Sequence, residues 1–173
     1  MQLEDIRTIG VVGAGQMGRG ISQVCATAGY HVLLLDVTDP ALTDALSKIR
    51  VGLGRAVERG SLTDHQAGAV LGLIHPMVQL DRLRDVQLVI EAIPQDLALN
   101  QELFSELNRV CRPPTVFASN TSSISITKLG AASGRPERDG SECYAVSMPG
   151  IAVPLRWNSA FEKIVQHHIL AMW

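Results

Sequence analysis

The stretch "RTIGVVGAGQMGRG", residues 7–20, constrains this 173-residue chain more than any other part of it. A short apolar run, Ile9 to Val12, leads into Gly13, Gly15 and Gly18. The glycines open a segment in which Met17, Ile21, Val24, Cys25 and Ala28 have the spacing of one buried helix face. A Gly-x-Gly-x-x-Gly turn between a strand and a helix brings backbone N–H groups and the positive end of the helix to a pyrophosphate at close range. Such a turn is common by itself, and its weight here comes from the residues on its carboxyl side. Gly29 stops the helix and "HVLLLD" makes a second buried strand. Strand, helix and strand within about 30 residues require parallel strands and a right-handed crossover.

Asp36 ends that second strand, about 20 residues beyond the fingerprint, where a carboxylate accepts hydrogen bonds from both ribose hydroxyls of an adenosine. It would repel a 2'-phosphate, and no arginine follows to receive one, so the residues favour NAD over NADP as the cofactor. Gln16 and Met17, inside the fingerprint, join the three glycines and Asp36 as candidate cofactor contacts.

The alternation of elements continues. Asp39 is expected to cap a helix starting at Pro40, with Leu42, Ala45, Ile49 and Leu53 on one face, and Gly60 is expected to end it. Thr63 and Gln66 form a capping box for a second helix running to about Ile74, so a helical hairpin is inserted between strands. "VQLVIEAI" reads as a continuous apolar strand, a helix follows around Leu103 to Val110, "TVFAS" makes the next strand, and "SSISITKLGAASG" a helix stopped by Gly134. The fold class is therefore α/β: a Rossmann-like, doubly wound, mainly parallel sheet with an inserted helical hairpin.

Ser119, Asn120, Thr121 and Ser122 lie just past the carboxyl end of a sheet strand, where open α/β sheets place ligands. Their hydroxyls and amide suit either of two tasks, orienting a carbonyl or alcohol, or capping the next helix. Both stay open from the residues alone.

Other chemistries find little support. A net charge of −2 offers no basic field for nucleic acid or anionic lipid. No apolar run approaches the ~20 residues of a membrane span, and no leader precedes the first strand, so a soluble, cytoplasmic protein is expected. Three cysteines with no C-x-x-C pair suggest neither a disulfide framework nor a metal site.

"IGVVGAGQMGRGISQVCATAGYHVLLLD", "RAVERGSLTD", "LVIEAIPQDL" and "FASNTSSISITKL" together resemble the NAD-binding domain of the L-3-hydroxyacyl-CoA dehydrogenases, including the bacterial 3-hydroxybutyryl-CoA dehydrogenases. The likeness runs from about residue 6 to Arg138, which divides the chain into an NAD-binding Rossmann domain, 1–138, and a divergent tail, 139–173, with a terminal helix expected after Ser159. The resemblance implies oxidation of a 3-hydroxyacyl-CoA to the 3-ketoacyl-CoA with NAD. A histidine takes the hydroxyl proton, a glutamate orients it, and a serine of the SNTS motif bonds the reacting oxygen. Ser122 matches that serine, as a catalytic, cofactor and substrate contact, and Asn120 joins the cofactor contacts. Arg59, on the hairpin, matches a basic position meeting a phosphate of an acyl-CoA substrate.

The departures from the family pattern are specific. Cys143 stands where the histidine is usual, Leu155 where its glutamate partner is usual, Gln95 where a cofactor-contacting glutamate is usual, Asn100 where a lysine is usual, and Gly52 where a CoA-contacting serine is usual. No counterpart of the family's helical second domain follows Arg138, so its hydrophobic contact face is expected to be uncovered and to favour self-association. Three readings are compatible with these residues. The chain is the NAD-binding domain of such a dehydrogenase with impaired catalysis, a non-enzymatic NAD-responsive binding module, or the product of a truncated or frame-shifted gene.

Overall fold

A computed structural model describes residues 6–121, 124, 126–132, 134 and 143–145. The expected terminal helix, the tail other than the backbone of residues 143–145, and Ser122 lie outside the described residues. Among the described residues six strands form one sheet in the order β3-β2-β1-β4-β5-β6: β1 Thr8–Val12, β2 His31–Leu35, β3 Ile74–Met77, β4 Leu88–Glu91, β5 Val116–Ser119 and β6 Cys143–Ala145. Every pairing is parallel. Chain order reverses direction between β1 and β4, and that switch point opens a crevice at the carboxyl ends of the strands.

Alternate strand residues feed two cores. Ile9, Val11, Val32, Leu34 and Ile90 point to one face, where they meet α1 (Gln16–Thr27), α2 (Asp39–Glu58) and α3 (Asp64–Gly72). Val12, Leu35, Val89 and Phe117 point to the other, against α4 (Leu97–Val110), α5 (Ile126–Ala132) and a 3-10 turn at Leu80–Leu83. Phe104 of α4 meets Phe117 of β5 edge to face, ring centroids 6.0 Å apart. Covering both faces is what makes the strands read as unbroken apolar runs.

Helix ends follow local chemistry. After α1, Gly29 takes φ 91°, its N–H donates to Ala26 O at 3.0 Å, and the Tyr30 N–H donates to Cys25 O at 3.1 Å. Gly60 closes α2 in the same way, with bonds to Val57 O at 2.8 Å and from Ser61 N–H to Ala56 O at 3.0 Å. Both are Schellman ends, and both stops were legible as glycines. The Thr63–Gln66 capping box is present.

Two expectations shift. The cap of α2 is Thr38, whose hydroxyl accepts from the Ala41 N–H at 3.4 Å, while Asp39 is the first helical residue. An aspartate there still complements the positive end of the helix. The second helix of the hairpin ends before Ile74, which begins β3 instead. Val32 N–H donates to Leu73 O at 2.9 Å and Asp36 N–H to Met77 O at 3.3 Å, so Pro76 falls on the outward side of an edge strand, where no donor is required. Among the described residues no helix is long and apolar enough to cross a membrane.

Candidate functional site

The glycine turn leaves β1 at the switch point. Gly13 adopts φ 105°, and a Cβ there would lie 2.5 Å from Ala92 O, so the position admits only glycine. Its N–H donates to Leu35 O at 2.8 Å, tying the turn to β2. Gly15 is exposed and caps α1 with no side-chain hydrogen bond, and the first turn of α1 carries no acidic residue. Gln16 and Met17 follow in that turn. The helix thus presents its first N–H groups and the positive end of its dipole to the crevice uncovered by side chains, an arrangement that receives an anion. Gly18 is buried, and a Cβ on it would fall 1.7 Å from Gly13 O, so helix and strand approach more closely than any other residue permits.

Asp36 stands at the carboxyl end of β2, half-buried. Its Oδ2 accepts from the Ala14 N–H at 2.7 Å and its Oδ1 from the Val37 N–H at 2.8 Å. Each oxygen keeps a further lone pair for an incoming hydroxyl. The bond to Ala14 makes the carboxylate and the glycine turn one unit.

Across the switch point lies a residue that the sequence pattern did not single out. Glu91 ends β4 at 2 % exposure, accepts from the Ile93 N–H at 2.7 Å and receives the hydroxyl proton of Ser119 in a short hydrogen bond. Burial pushes its carboxyl above the ordinary glutamate range, against the opposing pull of Ser119 and the Ile93 N–H. The one signal in the sequence was a carboxylate inside an otherwise apolar strand.

The hydroxyl cluster divides. Ser119 Oγ, besides donating to Glu91, accepts from the Thr121 N–H at 3.2 Å, and Thr121 Oγ1 accepts from the Ile124 N–H at 3.0 Å. Asn120 is half-buried, its own N–H donating to Glu91 O at 2.9 Å. Ser119 and Thr121 therefore build the loop after β5. Gln95 is exposed in the loop before α4. Asn100 is buried at 1 % exposure, its amide donating to Pro94 O at 2.9 Å and Asp96 O at 2.8 Å, which fixes that loop from beneath. Arg59 is exposed at the carboxyl end of α2, on the hairpin. Gly52 packs close to α1, where a Cβ would meet Gln23 Oε1 at 3.2 Å.

The family described as "3-hydroxyacyl-CoA dehydrogenase, NAD binding domain" matches residues 8–143. A 3-hydroxybutyryl-CoA dehydrogenase of Mycobacterium tuberculosis is 45 % identical over 134 residues, covering 77 % of this chain and 47 % of that protein. A probable 3-hydroxybutyryl-CoA dehydrogenase of Bacillus subtilis is 40 % identical over 134 residues, covering 78 % and 47 %. Among solved structures, 3-hydroxybutyryl-CoA dehydrogenase from Escherichia coli superimposes with a TM-score of 0.75 at 37 % identity, over 83 % of this chain and 29 % of that one. The (S)-3-hydroxybutyryl-CoA dehydrogenase of Ralstonia eutropha gives 0.74 at 36 %, over 76 % and 46 %. The chain spans about half the length of these two curated relatives.

Proposed function

Because the chain belongs to the NAD-binding domains of the 3-hydroxyacyl-CoA dehydrogenase family, we propose that it binds NAD across the carboxyl ends of its parallel strands. Gly13, Gly15, Gln16, Met17 and Gly18 cradle the diphosphate, and Asp36 holds the adenosine ribose. One observation carries this reading: a helix start free of side-chain caps is tied through Ala14 to a carboxylate that retains lone pairs for hydroxyls. Gln95, Asn120 and Ser122 serve the nicotinamide half, and Asn100 serves it indirectly through the loop bearing Gln95. Arg59 is the proposed contact for a phosphate of a 3-hydroxyacyl-CoA. Bound NAD supplies the hydride acceptor, and the residues of this chain bind, select and orient it.

The oxidation also needs a group to take the hydroxyl proton, a service typically worth ~10²- to 10⁴-fold in rate. The sequence places histidines only at 31, 65, 75, 167 and 168, and Cys143 stands at the position where the family resemblance expects one. We therefore expect binding without appreciable turnover, which also fits an NAD-responsive module. Calorimetry should detect NADH and ADP-ribose, with NADPH markedly weaker, and no 3-hydroxybutyryl-CoA oxidation above background. Uptake of neither ligand refutes the proposal. Robust turnover refutes its catalytic half.

A further inference from the structure

The buried carboxylate of Glu91 has no part in gripping the diphosphate or the ribose, yet it joins the ends of two adjacent strands. β1 to β3 carry the glycine turn and Asp36, so the adenosine half of a dinucleotide lies over them. The other half lies over β4 to β6, across the switch point. Glu91 and Ser119 end β4 and β5 in register with each other. From them a chain of bonds runs outward: Ser119 hydroxyl to Glu91, Thr121 N–H to Ser119 Oγ, Ile124 N–H to Thr121 Oγ1, with the Asn120 N–H held by the Glu91 carbonyl.

Resting on the proposed binding of NAD, we infer that Glu91 and Ser119 are a positioning pair that sets the loop bearing Asn120 against the nicotinamide half of the cofactor. The pair acts through the loop and touches no cofactor atom. A carboxylate is suited to this task because one oxygen fixes its own turn, at Ile93 N–H, while the other fixes the neighbouring strand end. Burial makes its dependence on these two donors strong, since a buried acceptor deprived of its donor loses what compensates its desolvation.

The test separates the two halves of the ligand. ADP-ribose reports the adenosine half alone, and NADH reports both. In the 173-residue chain, Glu91→Gln and Ser119→Ala should each weaken NADH binding about tenfold, the scale of one hydrogen bond to a charged group. ADP-ribose affinity should stay within about twofold, on the same scale. The double variant should be no weaker than the worse single variant, because the two residues act as one unit. Thr121→Val keeps the pair and removes the hydroxyl that accepts from the Ile124 N–H, so its NADH loss should be smaller and its ADP-ribose affinity unchanged. It provides the reading if Ser119→Ala does not fold. Folded Glu91→Gln and Thr121→Val proteins whose ratio of NADH to ADP-ribose affinity matches the wild type would overturn the proposal. So would a wild type that binds both ligands equally well. A wild type that binds neither would instead remove the NAD reading on which the pair depends.

Discussion

Two glycines in one helix turn, Gly18 and Gly20, are set for opposite responses to the same substitution. Alanine at Gly18 would place its Cβ 1.7 Å from the Gly13 carbonyl oxygen and 2.8 Å from the Gly13 carbonyl carbon. Both are backbone atoms, so no rotamer change relieves the overlap, and a normal contact needs the helix and strand to part by roughly 1.5 Å. Gly13 cannot easily retreat, because its N–H is bonded to Leu35 O at 2.8 Å. Overpacking of this kind costs about 1–3 kcal/mol or more, offset in part by the ~0.5–1 kcal/mol that alanine gains over glycine within a helix. Alanine at exposed Gly20 meets nothing within 4 Å, so only the favourable part applies. With a net loss of about 0.5–2 kcal/mol and roughly 2–4 °C of Tm per kcal/mol for a chain of this length, G18A should melt about 1–8 °C below the wild type and G20A about 1–4 °C above it. Thermal unfolding followed by circular dichroism reads both, and NADH titration should show G18A weakened as the cradle is pried open. Matching melting curves for the two variants would refute the close approach of α1 to β1.

Two further outcomes rest on buried titratable groups. The folded pKa of Glu91 lies above its ordinary value of 4.5, so the unfolded chain gives up this proton first as pH rises, and the stability the group contributes is lost through that window. The stability advantage of the wild type over Glu91→Gln should accordingly be largest below about pH 4 and shrink towards neutrality; a gap that widens with pH in denaturant titrations contradicts the burial argument. Burial also pushes the Cys25 thiol up to about 12, which lowers its thiolate fraction at pH 8 roughly a thousandfold. Peptide mapping after alkylation of the native protein should find Cys25 and buried Cys111 unlabelled until denaturant is added, and prompt labelling of Cys25 would refute its place in the core.

What the sequence disclosed depended on how local the chemistry is. The glycine turn, Asp36, the glycine helix stops and the Thr63 capping box were all readable, because each asks for particular residue types within a few positions. β3 was not. Four residues containing Pro76 make a poor strand pattern, and they hold only because the edge position leaves the proline's missing donor unused. The cap of α2 was misplaced by one residue, since Thr38 and Asp39 are both good caps and backbone geometry decides between them. Glu91 escaped for a different reason. Its partner Ser119 is 28 residues away, and only the pairing of β4 with β5 brings them together. The two tasks left open for the hydroxyl cluster resolve in part, Ser119 and Thr121 holding the loop itself.

The placement of His31 and His75 bears on the proposed oxidation separately from the binding of a cofactor. His31 opens β2 and His75 is the second residue of β3, where their rings stack with centroids 5.9 Å apart. The crevice lies at the carboxyl ends of the strands, and at 3.3 Å per residue His31 sits roughly 13 Å from the end of β2 and His75 roughly 7 Å from the end of β3. A general base has to come within about 3 Å of the proton it takes, or one water away. These two cannot. Glu91 is near enough to the crevice, but at 2 % exposure both its oxygens already serve Ser119 and the Ile93 N–H. The described carboxyl ends of β1, β2, β4 and β5 supply a helix start free of side-chain caps, the Asp36 carboxylate and a braced loop, the parts that the proposed NAD site uses. For the proposed oxidation of a 3-hydroxyacyl-CoA, none of His31, His75 and Glu91 is therefore placed to take the hydroxyl proton.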